Sequence, residues 1–195
     1  LGDIVLKDVS FTYPDTGINA LKNVNLTLPK NKTVAVFGKT GSGKSTLLSL
    51  ISRMYDLENG TVTINQENVK DLDLFNLRNN VAVVPQDAFL FSDSIKNNIK
   101  FGNNDATDEE VAEVAKKAAV HNNIIDFTNG YDTVLGERGI TLSGGQKQRV
   151  SIARALIKDA PILLLDDCLS AVDTETEEQI LNALLDYCKN KTTLI

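Results

Sequence analysis

Apolar and polar positions alternate from residue 3 to residue 28, with Ile4, Leu6, Val9, Phe11 and Tyr13, then Val24, Leu26 and Leu28, broken by Pro14-Asp15-Thr16-Gly17. Period-two alternation around a proline and glycine turn predicts a hairpin-like antiparallel pair. Thr61 to Ile64 adds a short strand after Asn59-Gly60, and Val81 to Val84 reads as a buried one before Pro85. The run Thr33 to Phe37 also reads as a buried strand, and Leu47, Leu50, Ile51 and Met54 follow it at helical spacing. Between residues 86 and 160 the pattern turns helical. There Thr107-Asp108-Glu109-Glu110 forms a capping box ahead of Val111, Val114, Ala115 and Ala118 on one face. Pro161 to Leu165 is a further buried strand, Thr174 to Lys189 a helix with Ile180, Leu181, Leu184 and Leu185 inward, and Thr192 to Ile195 begins a strand. The expectation is an α/β fold over residues 1–195, with a mainly parallel core sheet, an antiparallel β subdomain and an inserted α-helical subdomain. The core takes 1–85 and 161–195, and the helical insert takes 86–160.

Composition narrows the class. The chain's 195 residues are 42% hydrophobic and 24% charged, ordinary for a globular protein able to bury a sizeable core. Apolar runs such as Ile162-Leu163-Leu164-Leu165 fall far short of a membrane span. Twenty basic against twenty-six acidic residues leave a net charge of −6, which disfavours nucleic acid as a partner. Cys168 and Cys188 lack metal-ligand spacing and read as small buried apolar side chains in a reducing compartment. A start at Leu1 without a leader looks like a piece of a longer polypeptide.

The chemistry concentrates in Gly38-Lys39-Thr40-Gly41-Ser42-Gly43-Lys44-Ser45, which fits the phosphate-loop pattern G-x-x-x-x-G-K-[ST] between a predicted strand and a predicted helix. Glycines let successive backbone N–H groups converge on phosphate oxygens, and the positive end of the helix faces the same anion. Lys44 would reach the terminal phosphates of a nucleoside triphosphate, Ser45 would place its hydroxyl on a magnesium ion, and Thr46 completes the ATP-binding set. A second helix N-terminus follows Leu142-Ser143-Gly144-Gly145-Gln146, which leads into the helical segment Lys147 to Ile157. Asp166 and Asp167 end the apolar strand from Ile162.

Together the phosphate loop, the Leu-Ser-Gly-Gly-Gln stretch and the strand-end carboxylates resemble the nucleotide-binding domain of ATP-binding cassette transporters, over nearly the whole chain. The resemblance implies a phosphate-loop nucleotide-triphosphatase core with ATP and Mg2+ as cofactors. It makes Tyr13 the aromatic that stacks on adenine, and Gln86 the glutamine that touches magnesium and lines the site of the attacking water. Asp166 would hold magnesium and Asp167 would stand where the catalytic base stands. Ser143, Gly144, Gly145 and Gln146 would reach the γ-phosphate held by a second, opposing domain, so that two head-to-tail domains enclose two nucleotides. Ser170-Ala171-Val172-Asp173 matches a loop that crosses between the two domains, and Asp173 reads equally as a helix N-cap. The partners implied are that second nucleotide-binding domain, identical or different, and a membrane-spanning domain, at the cytoplasmic face of the membrane.

Two departures stand out. Hydrolysing members carry glutamate where this chain has Asp167, one methylene shorter, as in the degenerate half of heterodimeric exporters. The family's γ-phosphate histidine would follow Thr192 to Ile195, where this chain ends, and the single histidine, His121, reads as a solvated or core-edge residue instead. Gly136-Glu137-Arg138-Gly139 and the stretch Pro85 to Ile95 look exporter-like, with Phe89, Leu90 and Phe91 available either to the core or to a coupling helix. Two functions stay open: a hydrolysing export motor, and an ATP-holding regulatory half. A soluble cassette ATPase acting on DNA or ribosomes is disfavoured by the acidic balance and the exporter-like loop.

Overall fold

A computed structural model describes residues 2–137, 141–169 and 174–195, apart from the side chain of Glu175. In chain order the elements are β1 (Ile4–Thr12), β2 (Asn19–Leu28), β3 (Thr33–Val34), α1 (Lys44–Ile51), β4 (Asn59–Ile64), β5 (Glu67–Asn68) and α2 (Leu74–Asn79). Then come β6 (Val81–Val84), α3 (Ile95–Lys100), α4 (Asp108–Lys117), α5 (His121–Ile125), α6 (Gly144–Ile157), β7 (Ile162–Leu165), α7 (Thr174–Tyr187) and β8 (Thr192–Leu194). The chain divides into two compact units. The first holds residues up to Val81, Pro161–Asp166 and Cys188–Ile195, and the second holds Ala82–Ala160 with Asp167–Tyr187.

In the first unit β1 pairs antiparallel with β2 on one side and β4 on the other, and β5 completes a four-stranded antiparallel sheet. The 3–28 hairpin is therefore present. Its turn is closed by the Tyr13 amide donating to the Ile18 carbonyl at 2.9 Å. A second, parallel sheet runs β3, β8, β7, in the register Thr33 to Thr193 and Leu163 to Thr193. Ile4, Leu6, Leu28, Leu50, Ile51, Val62, Ile162 and Leu194 form one apolar core between these sheets and α1.

Two expectations fail here. The strand predicted over Thr33 to Phe37 is regular only at Thr33–Val34, and it is not buried on both faces. Val34 and Val36 pack on the core while Thr33 and Ala35 are exposed and Phe37 is 93% exposed. Its apolar composition hid a one-sided strand, whose period of two leaves every other residue without a covering layer in its own unit. Met54 likewise lies outside the core at 63% exposure, because α1 stops at Ile51 and Arg53 turns into a left-handed backbone (φ 51).

The second unit is mostly helical. Thr107 caps α4 reciprocally: its hydroxyl accepts from the Glu110 amide at 3.2 Å, and the Glu110 carboxylate accepts from the Thr107 amide at 2.7 Å. Val111, Val114 and Ala115 are buried as their spacing required, and Ala118 follows them at the C-cap. On α7 the inward stripe is narrower than expected: Ile180 and Leu184 are buried, whereas Leu181 and Leu185 are exposed. Positions i and i+4 share a face, but i+1 turns about 100° away. The helix also ends at Tyr187 and tightens into a 3-10 turn, Cys188–Asn190, short of its predicted end at Lys189 only in type. After α3 the chain passes close to α6 at Gly102, where a Cβ would collide with the Arg154 carbonyl oxygen and come within 2.9 Å of Ile157 Cγ2.

Two stability outcomes follow from this packing. Thr107→Ala removes the reciprocal cap and lowers unfolding free energy by about 1 kcal/mol in urea titration. Gly102→Ala forces backbone apart at the α3 and α6 contact and costs roughly 1–3 kcal/mol by the same measurement; an unaffected midpoint would mean that the approach is not a close one.

Candidate functional site

The phosphate loop leaves β3 and enters α1 through Gly43, whose backbone is left-handed (φ 91). Any Cβ there would also lie 2.6 Å from the Ala20 carbonyl oxygen and 2.7 Å from Leu21 Cδ2, so conformation and space both demand glycine. Gly43 is the N-cap of α1 and brings no side-chain oxygen, and no acidic residue sits in the first turn. The first amides of α1 thus have neither a capping side chain nor a neighbouring carboxylate to answer their partial charge. Gly38, Lys39, Thr40, Gly41 and Ser42 are exposed, as is Ser45, so this electropositive end opens to solvent. Lys44 folds over the loop, its Nζ donating to the carbonyls of Gly38 at 2.7 Å and Lys39 at 3.1 Å. That position holds an ammonium at the rim of the cradle, ready to exchange carbonyls for an anion.

Tyr13 stands beside the loop. Its hydroxyl and Thr46 Oγ1 lie 2.9 Å apart, and Thr46 is a residue of the first turn of α1 that is only 4% exposed. Phe11 and Tyr55 pack edge-on or tilted against the Tyr13 ring and each other, with centroids 5.1–5.5 Å apart. Asp166 follows β7 directly and is half-buried. Because β3, β8 and β7 run parallel, the end of β7 and the start of the phosphate loop open at the same edge of their sheet. The Ser45 hydroxyl and the Asp166 carboxylate are hard oxygen donors, few in number, which suits Mg2+ completed by phosphate oxygens and water.

The remaining candidates belong to the second unit. Gln86 is exposed just past β6, and Asp167 is exposed with a left-handed backbone (φ 45), a conformation that Asp tolerates better than most side chains. Ser143 caps α6: its hydroxyl accepts from the Gln146 amide at 3.2 Å while Gln146 Oε1 accepts from the Ser143 amide at 2.9 Å. Gly144 adds no bulk to this end, since a Cβ there would meet nothing within 4 Å, and Gly145 is half-buried. Arg138, Gly139 and the stretch Ser170 to Asp173 lie outside the described residues. His121 Nδ1 is 2.8 Å from the Tyr131 hydroxyl, whose pKa burial pushes up to about 12.

Two paired polar side chains of the second unit escaped sequence reading. Gln148, 3% exposed on α6, donates its amide to the Pro85 carbonyl at 3.0 Å and so braces the backbone next to Gln86. Arg154 donates to the carbonyls of Asn98 and Phe89 at 2.8 Å and to Asn98 Oδ1 at 3.0 Å. Its guanidinium also lies 5.6 Å and 5.8 Å from the ring centres of Phe91 and Phe101. Burial draws the pKa of Arg154 down to about 10, which still leaves it a cation at neutral pH. Phe91 packs edge-on against Phe89 and tilted against Phe101, all three rings are exposed, and Leu90 is buried. The signal for these contacts was a polar residue on an apolar helix face, at Gln148 and Arg154, which is costly unless paired.

Among the described residues no helix is long and apolar enough to cross a membrane. The profile of the ABC transporter family matches residues 21–170. Over its full length the chain is 46% identical to the ATP-dependent lipid A-core flippases of Escherichia coli (strain K12) and Shigella flexneri, and spans 34% of each. Its fold superposes on the ATP-bound structure of a bacterial Atm1-family ABC exporter with a TM-score of 0.93 at 39% identity, covering 99% of this chain and 34% of that one. An open phosphate cradle, a serine-capped second helix and these likenesses agree: the chain belongs to the ABC transporter family and has the fold of its nucleotide-binding domain.

Proposed function

We propose that this chain binds Mg-ATP and, paired head to tail with a second such domain, supplies the power stroke of an ABC exporter at the cytoplasmic face of a membrane. The observation that carries the reading is the N-terminus of α1, which Gly43 leaves without a side-chain cap and Lys44 crowns with a cation. An anion with several oxygens answers all of these donors at once, and a triphosphate also reaches Ser45. Gly38 to Thr46 hold the phosphates, Tyr13 carries the adenine, and Ser45 and Asp166 hold the magnesium. Bound Mg2+ neutralises charge building on the terminal phosphates.

Ser143, Gly144, Gly145 and Gln146 serve the nucleotide of the opposing domain. The exposure of the α6 tip supports this, because an uncrowded helix end with open space at Gly144 can take an anion from outside. Contacts available only while the γ-phosphate is present make the pairing ATP-dependent and reversible by hydrolysis. The phenylalanines at 89, 91 and 101 offer an apolar face for the membrane-spanning partner. Export, and lipid-type cargo in particular, is supported by the flippase likeness at 46% identity.

A second reading is favoured by Asp167: a half that holds ATP while its partner hydrolyses. The carboxylate is one methylene shorter than the glutamate of hydrolysing members, and its backbone is left-handed (φ 45), a turn that suits Asp better than Glu. Displacing a base by on the order of 1 Å costs roughly a hundredfold in rate.

Lys44→Ala is expected to weaken Mg-ATP binding at least about tenfold by calorimetry, as loss of a charge-assisted bond requires; unchanged affinity defeats the phosphate reading. In the complete exporter, Asp167→Glu should raise ATP turnover about tenfold or more, and an unaltered rate would remove the degenerate-site reading.

A further inference from the structure

The hydroxyl contact between Tyr13 and Thr46 joins two parts of the site that nucleotide chemistry uses separately. Tyr13 lies just past β1, in the turn before β2, and would meet a base, whereas Thr46 sits in the first turn of α1, where phosphates would bind. Thr46 is almost fully buried, so its hydroxyl has little access to water and the Tyr13 hydroxyl is its partner at 2.9 Å. Phe11 and Tyr55 pack nearly perpendicular to the Tyr13 ring, at centroid distances of 5.1 and 5.5 Å. A ring held by packing and at its tip by a hydrogen bond has little freedom to rotate or withdraw.

We propose that Tyr13 and Thr46 form a tether that fixes the spacing between the base platform and the phosphate cradle, making Thr46 a positioning residue for the nucleoside rather than only for the phosphates. The inference rests on the nucleotide reading above. Its consequence is selective: a ligand that spans both parts gains from the preset spacing, and one that touches the cradle alone does not. Stacking on an aromatic face tolerates different bases, so the discrimination falls on the presence of a nucleoside and not on which base it carries.

The test is a double-mutant cycle on this chain with Tyr13→Phe, Thr46→Val and the pair, measuring dissociation constants for Mg-ATP and for Mg-tripolyphosphate, which lacks a nucleoside. Tyr13→Phe keeps the stacking face and removes only the tether. The expected result for Tyr13→Phe is an ATP affinity lowered about fivefold, the scale of one neutral hydrogen bond, with tripolyphosphate affinity unchanged. Thr46→Val, on the phosphate side, weakens both ligands, and adding Tyr13→Phe to it brings no further ATP loss. A Tyr13 hydroxyl with a merely structural part would weaken both ligands alike on Tyr13→Phe. Equal losses for the two ligands in Tyr13→Phe, an ATP affinity unaffected by that substitution, or additive losses in the pair would each overturn the tether. Binding of neither ligand by the unsubstituted chain would overturn the nucleotide reading itself, an outcome distinct from those three.

Discussion

Everything in the first unit is arranged around amides that the helix cannot satisfy for itself. An α-helix leaves its first N–H groups without internal acceptors, and most helices answer them with a serine, threonine or aspartate side chain. Here the capping position is a glycine in a left-handed turn, pressed against the backbone of β2, where no side chain could fit. The helix is left electropositive at one end, and the parallel strands bring that end to the edge of the sheet where Asp166 emerges. The electropositive start of α1 and the Asp166 carboxylate therefore open at one edge of the parallel sheet.

The second unit solves the same problem in the opposite way. Ser143 and Gln146 satisfy the start of α6 reciprocally, as Thr107 and Glu110 do for α4. The sequence carried both boxes at the same spacing, and the start of α6 has open space at Gly144. Capping and anion binding draw on the same donors, and at α6 the Gln146 amide is already engaged by the Ser143 hydroxyl.

Much of this was legible because local rules act over short spans. The phosphate-loop spacing, the Thr107 box and the buried stripe Val111, Val114, Ala115 each depend on neighbours within a turn or two. What escaped depends on who faces whom across the fold. Phe37 looked buried because its strand is β-branched, small or aromatic throughout, and only the sheet decides which alternate residues meet the core. Leu181 and Leu185 looked inward because leucine is apolar, although α7 buries a narrower stripe. Gln148 and Arg154 gave no motif at all, since their partners, Pro85, Phe89 and Asn98, are more than fifty residues away. The left-handed backbone at Asp167 was equally invisible, being imposed by the turn out of β7.

Arg154 has a mechanical meaning beyond its contacts. It sits about three turns along α6 from Ser143, a span of roughly 16 Å at the rise of an α-helix, and grips the carbonyls of Phe89 and Asn98. The capped start of α6 and the loop carrying Phe89 are thus tied to one and the same helix, whose backbone hydrogen bonds are the structural link between them.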